Sequence, residues 1–180
     1  MDERVFYYAA GGAGSGAALR ANLESFDHWR ITQRLFEDVS VRSLKVPLLV
    51  KGVLHPEEAS DLMDCGADGI IVSNHGGRHR DGAISALDAL PAIAEKVGSQ
   101  IPVLFDSGIR HGADIYEALS LGAKMVFFGR PYIYALTLAG ESGVRRLLEN
   151  IIADFDLNLG ISGVRDVHAL NRNCLVRSNM

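Results

Sequence analysis

The chain has 180 residues, 48% of them apolar, and a formal net charge of −4 at pH 7. That length supports one domain with a real core, and the composition excludes a disordered or coiled-coil protein. The acidic balance offers no electrostatic case for a nucleic acid or an anionic membrane as partner. No apolar run reaches the roughly 18 residues of a membrane span. Met1-Asp2-Glu3-Arg4 leads into no signal-peptide core, and Cys65 and Cys174 match no metal or redox spacing. They read as two reduced thiols of a cytoplasmic protein.

Residues 1–45 form one segment and residues 46–180 another. In the first, apolar Val5-Phe6-Tyr7-Tyr8-Ala9-Ala10 runs into Gly11-Gly12-Ala13-Gly14-Ser15-Gly16. This is not a P-loop, because no Lys-Ser/Thr follows it. On composition alone it is a turn between helices. Ala17 to Asp27 is a helix candidate, with Leu19, Leu23 and Phe26 spaced for one face.

From Val46 the pattern becomes regular. Val46–Val50 reads as a buried strand ending at Lys51. Pro56 suits a first helical turn, and Gly66 a helix end. Gly69–Val72 is the second strand, and Ala86–Val97 a helix that contains Pro91. Ile101–Phe105 is the third strand, ending at Asp106, followed by a helix from Ala113 to Leu121. Lys124–Phe128 is the fourth strand, ending at Gly129-Arg130. Pro131 opens a further helix. A longer amphipathic one follows, with Val144, Leu147, Leu148, Ile151, Ile152 and Phe155 on one side. A short helix is expected near residues 166–170.

The pattern repeats internally. Val46-Pro47-Leu48-Leu49-Val50-Lys51 aligns with Ile101-Pro102-Val103-Leu104-Phe105-Asp106, and Gly66–Val72 aligns with Gly122–Phe128. Each copy is a strand–helix–strand unit, so four β/α modules build a parallel α/β sheet. A complete (β/α)₈ barrel has eight.

Parallel strands bring their C-terminal ends to one edge, where α/β proteins build sites. Here those ends carry Lys51; Ser73 with His75 and Arg78; Asp106; and Arg130. His75 can exchange a proton near neutral pH. Arg78 can fork onto a carboxylate. Gly108 and Gly129 leave room for a ligand, and Arg110 and Arg130 supply guanidinium donors, so the last two loops suit a phosphate. Asp106 reads as an orienter of Arg or His. The alternatives are a solvated Lys51 and surface arginines paired with Asp106 or Asp114. His79 and His111 read as solvated; His28, His55 and His168 lack a partner pattern. The constellation suits a phosphorylated cofactor beside a small organic acid.

The motifs Val46-Pro47-Leu48-Leu49-Val50-Lys51-Gly52, Ser73-Asn74-His75-Gly76-Gly77-Arg78, Asp106-Ser107-Gly108-Ile109-Arg110 and Gly129-Arg130-Pro131 resemble the FMN-dependent L-2-hydroxy acid oxidases and dehydrogenases. Glycolate oxidase, lactate oxidase and the lactate and mandelate dehydrogenases belong to that family. It usually has Asp-Gly-Gly-x-Arg, so Ser107 is a departure. Tyr7–Ala13 and Leu19–Asn22 through Phe26-Asp27 are similar to its opening helical segment, which replaces the turn reading of the glycines.

The resemblance implies a (β/α)₈ TIM barrel, of which this chain holds the C-terminal four modules and an N-terminal helical segment. Val46-Pro47 follows Asp38-Val39-Ser40 within a few residues, so the first half-barrel is missing. The resemblance also implies FMN as cofactor and a small 2-hydroxy acid of the lactate, glycolate or mandelate type as substrate. Arg78 with Tyr8 would hold the substrate carboxylate, and His75 would take a proton. Lys51 would stabilise the reduced flavin. Ser73, Asp106, Gly108, Arg110, Gly129 and Arg130 would lie along the ribityl phosphate side, with Asp106 also able to orient His75.

The other reading is an inactive half-barrel that self-associates or only binds a phosphate group. A halved barrel exposes two strand edges and an apolar interior, so a homo-oligomer is expected. A phosphate-binding lyase or isomerase would explain the arginine loops but not the His-Gly-Gly-Arg run.

Overall fold

The structure, a computed structural model, describes residues 46–177 other than His79, together with residues 21, 24–28, 38, 40 and 41. The chain divides into two compact units, Met1–Leu44 and Lys45–Met180. In the first, Ala21 and Glu24 are helical and Ser25–His28 form a 3₁₀ turn. The remainder of the helix expected over 17–27, the Tyr7–Ala13 motif and Tyr8 lie outside the described residues.

The second unit is a four-stranded parallel sheet in the order β1 (Leu49–Val53), β2 (Gly69–Val72), β3 (Val103–Phe105) and β4 (Met125–Val126). Helices α1 (Pro56–Asp64), α2 (Ala86–Val97) and α3 (Gly112–Ser120) connect successive strands, and α4 (Arg130–Ile161) follows β4. Local chemistry sets the helix ends. Pro56 occupies the first turn of α1, where its missing N–H costs nothing. Ser85 caps α2 by accepting from the Asp88 N–H.

One face of the sheet packs on the helices. Ile70, Val72, Val103 and Phe105 are buried with Ala59, Leu90, Ile93, Val97 and Ala118. Side chains alternate along a strand, so the row in register Lys51–Ile71–Leu104–Met125 faces the other way. Toward the two sheet edges that face is open: Leu49 is 45% exposed and Met125 54%.

Several expected boundaries move. β1 begins at Leu49 rather than Val46 and continues through Lys51 to Val53, with its register to β2 shifting between Lys51 and Val53. Gly52, at φ +101°, makes that irregularity possible. Lys51 therefore sits within the strand, not at its exit. β3 loses its first two expected residues. β4 keeps two and pairs on one side alone, although the Phe127 N–H still donates to the Phe105 carbonyl at 2.8 Å. Pro91 lies inside α2 without ending it.

The two helices expected after Pro131 meet at a kink. Ala139 and Gly140 leave helical geometry, Gly140 at φ +57°. In the second part Ile151 is buried, whereas Leu148 and Ile152 are 44% and 65% exposed, so its packed stripe is narrower than the sequence pattern. The short tail helix is a 3₁₀ turn, Val167–Ala169, followed by another, Arg172–Cys174. Cys65 and Cys174 are free thiols. Among the described residues, no helix is long and apolar enough to cross a membrane.

Candidate functional site at the strand ends

The loops after β2, β3 and β4, together with Lys51 of β1, meet around one cavity of about 360 Å³. Lys51, His75, Arg78, Asp106, Gly108, Arg110, Gly129 and Arg130 all line it. Of the residues singled out from sequence, Ser73 is not on that lining and Tyr8 is not described.

An ion pair anchors the floor. Lys51 Nζ lies 2.8 Å from Asp106 Oδ2, with side-chain exposures of 42% and 17%. Burial alone raises the Asp106 pKa. Hydrogen bonds from Lys51, Ser73 and Ser107 and the Lys51 charge outweigh it, so the carboxyl ends below its ordinary value. Asp106 thus pairs with a lysine, where the sequence offered Arg or His.

Ser73 directly follows β2 and is 1% exposed. Its Oγ accepts from Lys51 Nζ at 3.2 Å and from the His75 N–H at 3.0 Å. Its bonds run to the protein's own groups, which makes it a support beneath the site. His75 itself is exposed and sits at φ 58°, an uncommon conformation for a residue with a Cβ. The loop holds it there: the Asn74 side chain accepts from the Gly77 N–H at 3.0 Å, and the Arg130 guanidinium donates to the Gly76 carbonyl. Glycine suits position 76, since its φ is +65° and a Cβ would stand 3.1 Å from Arg130 Nη2.

The opposite wall has the character of an anion site. Gly108, at φ +102°, and Gly129 both have open space where a Cβ would stand. Gly129 is the N-cap of α4 and brings no capping side chain, so the helix's first N–H groups face the loop region. The Asp114 carboxylate fixes the neighbouring loop, accepting from the Arg110 N–H at 2.7 Å and the His111 N–H at 2.8 Å. The Arg110 side chain is exposed, and one of its nitrogens donates to the Ile109 carbonyl. Two guanidinium groups, glycine backbone and a helix start suit a phosphate monoester.

Sequence reasoning missed two roles. His55 is a helix cap, its Nδ1 accepting from the Glu57 N–H at 3.3 Å. Ser107 is a hub: its hydroxyl bonds two amides of the His75 loop and the Asp106 carboxylate. Only its odd place in the glycine motif pointed to it.

The pattern of known proteins decides the relationship. The FMN-dependent dehydrogenase family matches residues 1–48 and 41–177. The chain belongs to that family. The two matched stretches meet at residues 41–48, where the sequence places the missing modules. The chain is similar to the L-lactate dehydrogenase of Caulobacter vibrioides, 50% identical over 131 residues, covering 73% of this chain and 34% of the relative. It is similar to the L-lactate oxidase of Lysinibacillus sphaericus, 46% identical over 143 residues, covering 77% and 37%. A solved mandelate oxidase with (S)-4-hydroxymandelic acid superposes with a TM-score of 0.68 at 43% identity, covering 71% of this chain and 36% of that one. The chain of this FMN-dependent dehydrogenase family member spans about a third of the length of the relatives it matches.

Proposed function

We propose that the chain binds FMN and takes part in oxidising a small L-2-hydroxy acid to the 2-oxo acid. The observation that carries this reading is the single cavity on which His75, Arg78, Lys51, Arg110 and Arg130 converge. Support comes from relatives named lactate oxidase, lactate dehydrogenase and mandelate oxidase.

The residues present fit the cofactor's phosphate. Open glycine backbone at 108 and 129, the Arg110 and Arg130 guanidiniums and the start of α4 form a donor set for a dianion. FMN, when bound, supplies the acceptor for two electrons. Arg78 pairs with the substrate carboxylate. His75 takes one of the two protons that leave as the hydroxyl becomes a carbonyl. Ser73 and the Asn74 side chain hold the His75 loop. Lys51, kept in place by Asp106, supplies positive charge for the reduced cofactor.

The test is anaerobic mixing of the FMN-loaded chain with L-lactate, glycolate and L-mandelate while the flavin absorbance is followed. The account expects bleaching with at least one of the acids. Firmly bound flavin that none of them bleaches would refute it.

A second reading rests on the open sheet face, where Leu49 and Met125 are 45% and 54% exposed. A second copy could pair its β1 edge with the first copy's β4 edge and vice versa, giving the eight parallel strands of a closed barrel. The inactive form of this reading keeps a phosphate site and no turnover. A stable monomer by light scattering would contradict self-association.

A further inference from the structure

We propose that Ser107 is a positioning residue for His75, and this rests on the reading of His75 as the base. Three successive amides of the His75 loop are each held by a serine hydroxyl. Ser73 Oγ takes the His75 N–H at 3.0 Å, and Ser107 Oγ takes the flanking Asn74 and Gly76 N–H groups at 3.2 and 3.1 Å. The Ser107 hydroxyl donates its own proton to Asp106 Oδ1 at 2.8 Å. One donated and two accepted bonds use the full capacity of a hydroxyl.

Both serines lead back to the same ion pair. Ser73 Oγ accepts from Lys51 Nζ at 3.2 Å, and Ser107 donates to Asp106, the partner of Lys51. The charged pair therefore orients the two hydroxyls, and the hydroxyls fix the backbone on either side of His75. That backbone needs fixing, because His75 is at φ 58°. Ser107 is itself at φ 88°, a region that glycine occupies without strain and serine does not. A strained serine that spends both acceptor positions of its hydroxyl on a neighbouring loop, and its proton on Asp106, is placed for that loop.

This arrangement separates the hydroxyl's role from simple stability. Ser107→Gly relieves the backbone and removes the hydroxyl, and Ser107→Ala removes the hydroxyl alone. The Gly variant should be the more stable of the two. Both should lose the same loop restraint, because neither has an oxygen.

The experiment is amide hydrogen exchange by NMR on the FMN-loaded full chain and both variants, with stopped-flow reduction by the hydroxy acid alongside. Exchange at Asn74 and Gly76 should quicken by about tenfold in both variants, the effect of one lost hydrogen bond, while the Ser73-held amide of His75 moves less. Where the parent chain is reduced, both variants should show a limiting reduction rate about tenfold lower at unchanged substrate affinity. Unchanged exchange at Asn74 and Gly76 in the well-folded Gly variant would overturn the proposal, whatever the activity. So would an unchanged limiting rate in both variants. A parent chain whose flavin never bleaches would refute the oxidoreductase reading instead, and the exchange result would still decide the Ser107 restraint.

Discussion

Gly112→Ala is the sharpest structural perturbation available, because the space around this glycine is filled by backbone. A Cβ there would stand 2.1 Å from Phe155 N, 2.5 Å from the Asp154 carbonyl carbon and 2.6 Å from Phe155 Cα. Ordinary contact begins at 3.4 Å, so α4 would have to retreat by about 1.3 Å along its contact with α3. Overpacking of this kind costs about 1–3 kcal/mol. The retreat would also stretch the hydrogen bond from the Gly112 N–H to Asp154 Oδ2 and loosen the buried Ile151. Together these bring the loss to about 3 kcal/mol, or roughly 8 °C in Tm for a chain of this size. Gly160→Ala is the control. Gly160 lies in the same helix, is exposed and has nothing near its missing Cβ, so alanine there should stabilise by about 0.5–1 kcal/mol. Urea unfolding followed by circular dichroism measures both. A Gly112→Ala variant within about 0.5 kcal/mol of the parent would show that α4 does not rest on α3 as described.

Other expectations follow from the site. His75→Ala should leave FMN bound and abolish its bleaching by hydroxy acid, measured by anaerobic stopped flow; an unchanged reduction rate would remove His75 from the mechanism. Arg110→Leu should weaken FMN binding by about 10–100-fold by fluorescence titration, the scale of a charge-assisted hydrogen bond to phosphate. Asp106→Asn should destabilise by about 1 kcal/mol at neutral pH, a modest figure because the Lys51 side chain is 42% exposed. The pH dependence has a definite sign. The Asp106 carboxyl lies below its ordinary value of 3.8 in the folded chain, so its contribution is complete above 3.8 and is lost as pH falls through the lower, folded value. The stability gap between parent and variant should therefore be flat from neutral pH down to that region and close below it. A gap that closes near neutral pH would point to another group.

The sequence made much of this arrangement legible, and the misses have local causes. β2 spans Gly69–Val72 as expected, because an interior strand of a parallel sheet is apolar on both faces and bounded by turn residues. α2 spans Ala86–Val97 as expected, with Ser85 as its cap. The edge strands were less legible. Val46 has strand-like chemistry yet is 77% exposed and precedes β1, and β4 shortens to two residues with one neighbour to pair with. Pattern alone reads chemistry along the chain, not which neighbour will supply the ladder. The same limit governs the site. His75, Arg78 and the arginine loops stood out because strand-end position and side-chain chemistry are both local. The Ser107 network joins residues 31 and 33 positions apart, and it depends on two left-handed backbone conformations that no composition announces.

The most direct test of the central claim is to mix the purified chain with FMN, pass it through a sizing column, and record the visible spectrum before and after anaerobic L-lactate. The account predicts flavin that co-elutes with the protein, at the size of an assembled species, and bleaches on addition of the acid. A folded protein that elutes without flavin would contradict it, showing that the cavity formed by Lys51, His75, Arg78, Arg110 and Arg130 does not hold the cofactor in this chain.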